Sequence, residues 1–166
     1  MEYFEIVDED GEVIGTAPRS ECHGNPALVH RAVHVLVFNG EGRLLLQLRS
    51  MDKDIQPGKW DTSVGGHLAV GETYEQAAAR EMEEELGIVK HGMKRLYDYP
   101  LRNEVESENI RTFMVVYDGP VEYQPEEIDA VRFWDLDEVY LNLGKGVFTP
   151  NFEQEFSMYE SWKEGQ

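Results

Sequence analysis

Glu81, Glu84 and Glu85 are the residues of this chain whose type and spacing most directly suggest chemistry. An α-helix turns about 100° per residue, so the three fall within an arc of about 100° and present their carboxylates on one face. Like charges three and four residues apart destabilise an isolated helix by roughly 0.2–0.5 kcal/mol per pair, and a divalent cation reverses that sign. Hard oxygen ligands, with carbonyls of a glycine-rich loop close by, suit Mg²⁺ or Mn²⁺, and such an ion in turn attracts phosphate oxygens. The plainer reading is that an acidic chain has an acidic helix, because charge runs are usually solvated faces. Arg80 lies on the same helix, placed to pair with Glu72 and hold the loop against it, whereas Glu83 points elsewhere and is expected in solvent. Ala78, Ala79, Met82 and Leu86 form an adjoining apolar stripe, able to pack the helix on a sheet while leaving the carboxylates at the edge of a cleft.

A loop must lead into that face and a framework must hold it. From Ser50 to Gly71 the chain reads as loop, with Pro57, Gly58, Gly65, Gly66 and Gly71 interrupting short pieces such as WDTSVGGH. Thr73 stands three residues before Gln76, a capping-box start, and Gly87 sits where a helix stops, which predicts one helix of roughly four turns between them. Ahead of the loop, Tyr3, Phe4, Ile6 and Val7 alternate with the turn chemistry of Asp8-Glu9-Asp10-Gly11 before Val13 and Ile14, predicting a β-hairpin. HRAVHVLVFN and RLLLQLR, joined by Asn39-Gly40-Glu41-Gly42, predict two more strands, and LYDYPL, IRTFMVVYDG and VRFWDL predict three further ones. Pro125-Glu126-Glu127-Ile128 and Asp135-Leu136-Asp137-Glu138 read as short turns or helix starts. After Thr149-Pro150-Asn151, the residues Phe152, Phe156, Tyr159 and Trp162 recur at helical spacing and predict an amphipathic C-terminal helix. Strands interleaved with two or three helices, without a repeat or a linker, predict an α/β sandwich.

The length of 166 residues suits one compact domain better than two. A hydrophobic content of 41% is enough for a core and a charged content of 29% for a solvated surface, which argues against disorder. The 33 acidic and 15 basic residues leave a net charge of −18, a field that repels phosphate polymers, so no nucleic-acid partner is expected. No apolar run approaches the ~20 residues that span a bilayer, and the acidic start MEYFEIVDEDGEVIG lacks the basic region and apolar run of a signal peptide. Cys22 is the single cysteine, so no internal disulfide can form. A cytoplasmic protein without a membrane partner is expected, and its oligomeric state stays open.

The segment from Gly66 to Ile88 carries a longer pattern. Gly66 is followed after five residues by Glu72, and after seven more by Arg80-Glu81-Met82-Glu83-Glu84-Glu85-Leu86-Gly87-Ile88. This resembles the signature of the Nudix hydrolases, Gly-x5-Glu-x7-Arg-Glu-U-x-Glu-Glu-x-Gly-U with U aliphatic, at every specified position. The resemblance implies a Nudix α/β/α sandwich with a central mixed sheet and an N-terminal β-hairpin extension. It implies a single domain over residues 1–166, with the extension at 1–30 and the signature at 66–88. It also implies a divalent-metal-dependent hydrolase that cleaves a diphosphate linkage, in a nucleoside diphosphate derivative or a related small organic diphosphate, by attack of water at phosphorus. Glu81, Glu84, Glu85 and the Gly66 carbonyl would hold Mg²⁺ or Mn²⁺, with Glu72 and Arg80 bracing them. Glu84 or Glu85 is the favoured general base, and Glu104, Glu106 or Glu108 outside the signature stays open.

GTAPRSECHGNPALVHRAVHVLVFN, LLLQLRS, PGKWDTSVGGH and FTPNF extend the resemblance to the branch containing isopentenyl diphosphate isomerases and isomerase-like hydrolases. Those isomerases move a proton with a cysteine in a Ser-Val-Cys-Gly-His segment and a glutamate ending a Glu-Asn-Glu segment. Here the first reads Ser63-Val64-Gly65-Gly66-His67, and the second is matched to Glu108-Asn109-Ile110, so Gly65 and Ile110 stand at the acid–base positions and neither side chain transfers a proton. Isomerase activity is accordingly the alternative to hydrolysis, and a noncatalytic nucleotide-binding module a third reading. His23, His30, His67 and Glu108 match four of the isomerase's five metal-ligand positions, a set that could hold Zn²⁺ or Mn²⁺ or make ordinary hydrogen bonds. His34 shares a strand face with His30 but matches no ligand and reads as structural. Arg49, Lys53, Lys59 and Arg31 could grip phosphates or lie as surface charges. Trp60, Trp134, Tyr97 and Tyr99 could stack on an organic group or pack in the core. Cys22, beside His23, lacks a recognisable orienting partner for nucleophilic catalysis.

Overall fold

The structure, a computed structural model, describes residues 2–53, 56–89 and 92–166. The predicted loop from Ser50 to Gly71 includes positions 54 and 55, and the predicted extension begins at position 1; these three lie outside the described residues. The chain opens with the expected hairpin, β1 (Tyr3–Val7) and β2 (Val13–Pro18), which forms a two-stranded antiparallel sheet of its own, and a short helix α1 (Arg19–Cys22) follows. The main sheet contains β3 (Val29–Phe38), β4 (Leu44–Arg49), β5 (Trp60–Asp61), β6 (Val64–His67), β7 (Lys94–Arg102), β8 (Ser107–Val116) and β9 (Ile128–Trp134). Its order is β5-β4-β3-β8-β7, with β6 added to β3 and β9 to β4. The sheet is mixed because β3 and β8 run parallel, in a register from Val29 opposite Ser107 to Phe38 opposite Val116, while β6 and β4 pair antiparallel with β3.

Alternation along β3 sorts the two sides of the sheet. Val33, Val35 and Val37 face the signature helix α2 (Tyr74–Leu86) and pack with Ala77, Ala78, Met82 and Leu86. Leu36 and Phe38 face the other way, toward Phe152 and Phe156 of α4 (Pro150–Glu164) and Val139 of α3 (Leu136–Asn142). The result is an α/β/α sandwich with one helix layer on each side. No helix among the described residues is long and apolar enough to cross a membrane.

Local chemistry sets the helix limits. The Thr73 hydroxyl accepts the Gln76 N–H at 3.1 Å and the Gln76 side chain accepts the Thr73 N–H at 2.9 Å, closing the capping box. Gly87 ends α2 at φ 66°, the left-handed conformation that glycine adopts without steric cost. Thr149 caps α4, accepting the Phe152 N–H at 3.1 Å and donating its hydroxyl to Asp61 at 2.9 Å, which ties this helix to β5.

Two expectations change. The stretch read as loop contains β5 and β6, whose partners on β4 and β3 are far away in sequence. Ala79, expected in the apolar stripe, is exposed, and Ala77 is buried in its place. Ala77 lies near Glu81 on the helical wheel, about 160° from Ala79, so α2 is rolled with the flank of its carboxylate arc toward β6.

Candidate active site

Arg80 organises the acidic face of α2. Its Nε and Nη2 donate to the two oxygens of Glu72 at 2.8 and 2.9 Å, and Nη1 donates to Glu81 at 2.7 Å and Glu84 at 3.3 Å. Nη2 also reaches the carbonyl of His67 at 3.0 Å, so one guanidinium joins the loop, the helix and the end of β6. This bonding holds the Glu72 carboxyl below its ordinary range, and the same contacts raise Arg80.

Gly66 is where backbone and carboxylate meet, and a Cβ at that position would overlap the Cγ and Cδ of Glu81. Because the obstructing atoms belong to a flexible side chain, Gly66→Ala is expected to fold but to push Glu81 from its place. Mg²⁺ affinity, followed by calorimetric titration, should fall by about 10- to 100-fold. Unchanged affinity would sink the assignment of this contact.

Glu85 is the unusual acid. Its Oε1 accepts from Gln47 Nε2 at 2.9 Å, while Oε2 is buried without a hydrogen-bond partner among the described residues. Burial pushes its carboxyl well above the ordinary range; the Gln47 bond opposes this and the neighbouring Glu81 carboxylate adds to it. A buried oxygen left unpaired beside a second carboxylate, over bare glycine backbone, fits a cation. Glu84 is 56% exposed and reaches solvent, and Glu83 is exposed, as expected.

These carboxylates line a cleft of about 650 Å³ that continues past Gly65 and His67 to Glu106 and Glu108. At its far end Glu108 Oε2 lies 3.1 Å from His30 Nε2 and 2.8 Å from His67 Nε2, with the Phe4 ring of the hairpin stacked on both imidazoles. Burial would raise the Glu108 carboxyl, but these two histidines hold it well below the ordinary range. His23 Nε2 is 3.1 Å from Glu106 without hydrogen-bond geometry. Ligand atoms of His23, His30, His67 and Glu106 lie within 4.8 Å of one another.

The acidic pair at this end corrects one alignment of the sequence. Ile110, matched to the isomerase glutamate, is buried among Ala32, Tyr99 and Leu101, and Glu106 joins the histidines instead. The Glu-x-Glu segment is therefore Glu106-Ser107-Glu108, two residues earlier. That segment has a carboxylate at both ends, and Gly65 stands where the Ser-Val-Cys-Gly-His pattern has its cysteine.

Other candidates separate by position. Arg49 and Lys53 line the cleft, Arg49 at 3.7 Å from Asp61 and Lys53 paired with Glu127. Lys59 and Trp60 do not line it, and Trp60 packs edge-on against Trp134, 5.4 Å between centroids. Arg31 turns to Glu5 at 2.7 Å and sits in a different depression beside Tyr74. Glu104 is exposed outside the cleft, and Cys22 is buried under the hairpin with Phe4 and Ile6. Tyr97 and Tyr99 point their hydroxyls at Glu155 of α4, a residue that sequence reasoning passed over along with Gln47.

A family profile described as NUDIX domain matches residues 28–152. The chain is 35% identical over 159 residues to an uncharacterised Nudix hydrolase of Yersinia pestis, covering 96% of this chain and 86% of that protein. It is 36% identical over 156 residues to an isopentenyl-diphosphate Delta-isomerase of Streptomyces avermitilis, covering 90% of this chain and 79% of that protein. Among solved structures, DR0079 from Deinococcus radiodurans is similar with a TM-score of 0.76 at 25% identity, over 89% of this chain and 92% of that one.

Proposed function

The chain belongs to the NUDIX family and is a pyrophosphohydrolase, and from that premise we propose that it uses Mg²⁺ or Mn²⁺ to cleave the diphosphate linkage of a nucleoside diphosphate derivative or a related small organic diphosphate. The observation that carries this reading is the orphaned, buried oxygen of Glu85 beside Glu81, above a glycine whose missing side chain leaves them room. Glu81, Glu84, Glu85 and the Gly66 carbonyl would hold the ion. When bound, it neutralises phosphate charge and acidifies water.

The protein's own residues divide the remaining tasks. Arg80 fixes Glu72, Glu81 and Glu84 in one arrangement. Glu84, open to solvent, would accept the proton of an attacking water, and Gln47 orients Glu85. Arg49 and Lys53 on the cleft wall are the candidates to meet phosphate oxygens.

One consequence concerns protons. Glu85 is held protonated to higher pH than an ordinary glutamate, and a cation must displace that proton. Mg²⁺ affinity should therefore rise with pH above the ordinary glutamate range, and titration calorimetry in buffers of different ionisation enthalpy should show proton release. Binding without proton release at any pH would contradict the role given to Glu85.

A second reading, isomerase activity on isopentenyl diphosphate, is favoured by one observation: Glu106 and Glu108 together complete a three-histidine, two-carboxylate group fit for Zn²⁺ or Mn²⁺. Gly65 opposes it, having no proton to give. The deciding experiment offers sugar nucleotides, other nucleoside diphosphate derivatives and isopentenyl diphosphate with Mg²⁺ or Mn²⁺, following the phosphomonoesters that cleavage of the linkage yields (with inorganic phosphate from isopentenyl diphosphate) and the isomerised product separately. Release of phosphate products supports hydrolysis. Isomer formation without any hydrolysis product overturns it, and binding without turnover across the panel points to a noncatalytic module.

A further inference from the structure

Glu155 is a carboxylate with no exposed surface, set on the apolar face of α4. Its oxygens accept the Thr112 hydroxyl at 3.1 Å each, the Tyr99 hydroxyl at 3.0 Å, the Tyr97 hydroxyl, and His34 Nδ1 at 2.6 Å. Burial and the Glu155 charge push both phenols up, so they stay neutral. A buried anion needs a counter-charge, and among the described residues bonded to Glu155 only His34 can be cationic. His34 is therefore an imidazolium with Nδ1–H committed to Glu155. Its other donor, Nε2–H, has no hydrogen-bond partner among the described residues.

That second donor lies at the cleft. His34 is opposite Gly65 in the β3–β6 register, and a Cβ on Gly65 would press its Cδ2 at 3.3 Å and touch its Nε2 at 3.5 Å. The side chain is 12% exposed and lines the cleft together with Glu81, Glu84 and Glu85. Arg49 and Lys53 are long, flexible chains already beside Asp61 and Glu127, whereas the Glu155 network holds this imidazole in one orientation.

We propose that His34 is a substrate-binding residue that donates Nε2–H, across the bare backbone of Gly65, to a non-bridging oxygen of the substrate's diphosphate group. The inference rests on the reading of the cleft as a diphosphate site. It adds a fixed cationic donor, supplied by α4 through β3, to an otherwise acid-rich cavity.

The test follows imidazole resonances of the intact protein by ¹⁵N NMR while Mg²⁺ is added first and methylenediphosphonate, a diphosphate mimic that resists hydrolysis, second. On the second addition the His34 Nε2–H signal is expected to shift and to exchange more slowly with water. His34→Gln should weaken diphosphonate binding about tenfold, and the wild-type signal decides the matter if that variant does not fold. Diphosphonate binding with an unmoved His34 signal overturns the proposal, as does failure of the wild type to bind it. The hydrolase reading fails by a different route, lack of turnover on the substrate panel.

Discussion

Glu85→Gln is expected to lower metal-dependent hydrolysis by roughly 10²- to 10⁴-fold while leaving the metal-free protein at least as stable as the wild type. Both effects come from one environment. Burial, reinforced by the Glu81 carboxylate, disfavours the charged form of Glu85. A carboxyl whose folded pKa is raised contributes stability below its unfolded value of about 4.3, and that contribution is lost as pH rises through the folded value. A neutral amide of the same shape is spared the loss and keeps an oxygen for Gln47, yet it cannot offer a cation a negative charge. Calorimetry should find Tm unchanged or raised without metal, and the rise in Tm caused by Mg²⁺ in the wild type should vanish. Glu83→Gln, on the exposed side of the same helix, should alter neither quantity. Wild-type turnover in Glu85→Gln would remove Glu85 from the metal site. This opposition of stability and activity is expected where a fold holds an acid in place for its ligand.

His34→Leu should destabilise the protein by about 3–5 kcal/mol, because it strands the Glu155 carboxylate in the core without a counter-charge. Adding Glu155→Gln in that background should recover most of the loss, since an amide oxygen still accepts from Tyr97, Tyr99 and Thr112 without carrying charge. Denaturant unfolding of the two single variants and the double variant measures this directly. The pH profile follows from the two shifts. Burial would lower His34 and raise Glu155, but their mutual bond outweighs it in both, so His34 is raised and Glu155 lowered. His34 thus contributes stability that is complete below its unfolded value of about 6.5 and declines as pH rises through the folded value. Glu155 contributes stability that is present above about 4.3 and is lost as pH falls through its folded value. The variant should lose the decline on the alkaline side that the wild type shows through His34. Equal stability of His34→Leu and wild type would mean that Glu155 is neutral in the fold, which would also remove the basis for a cationic His34.

Much of the acidic helix was legible beforehand. Thr73, Gln76 and Gly87 act within a few residues of themselves, so capping chemistry marked both ends of α2. The spacing of Glu81, Glu84 and Glu85 likewise placed them on one face, and Arg80 with Glu72 formed the expected pair. The roll of that helix was not legible. Ala77 and Ala79 have the same side chain, and only the packing of the helix on β3 and β6 decides which of them is covered. The short strands β5 and β6 were hidden for a related reason, because two to four residues carry no periodicity and become strands only through β4 and β3.

The histidine end of the cleft shows the same division. His23, His30 and His67 stood out by residue type, but Glu106-Ser107-Glu108 and Glu108-Asn109-Ile110 compete for one segment in a linear alignment. The choice is made by the parallel pairing of β3 with β8, which sets Glu108 beside His30 and Ile110 beside Ala32. His34 and Glu155 lie 121 positions apart, and nothing near either residue announces the other. What the sequence determined by itself was the chemistry that acts over one or two helical turns: the caps, the carboxylate face and the pattern Gly66 to Ile88. What only the tertiary structure decided was which distant groups share a charge or a cavity. Burial strengthens electrostatic interactions and removes water as a partner, so the state of Glu85, Glu108, His34 and Glu155 depends on neighbours that the chain brings together only on folding.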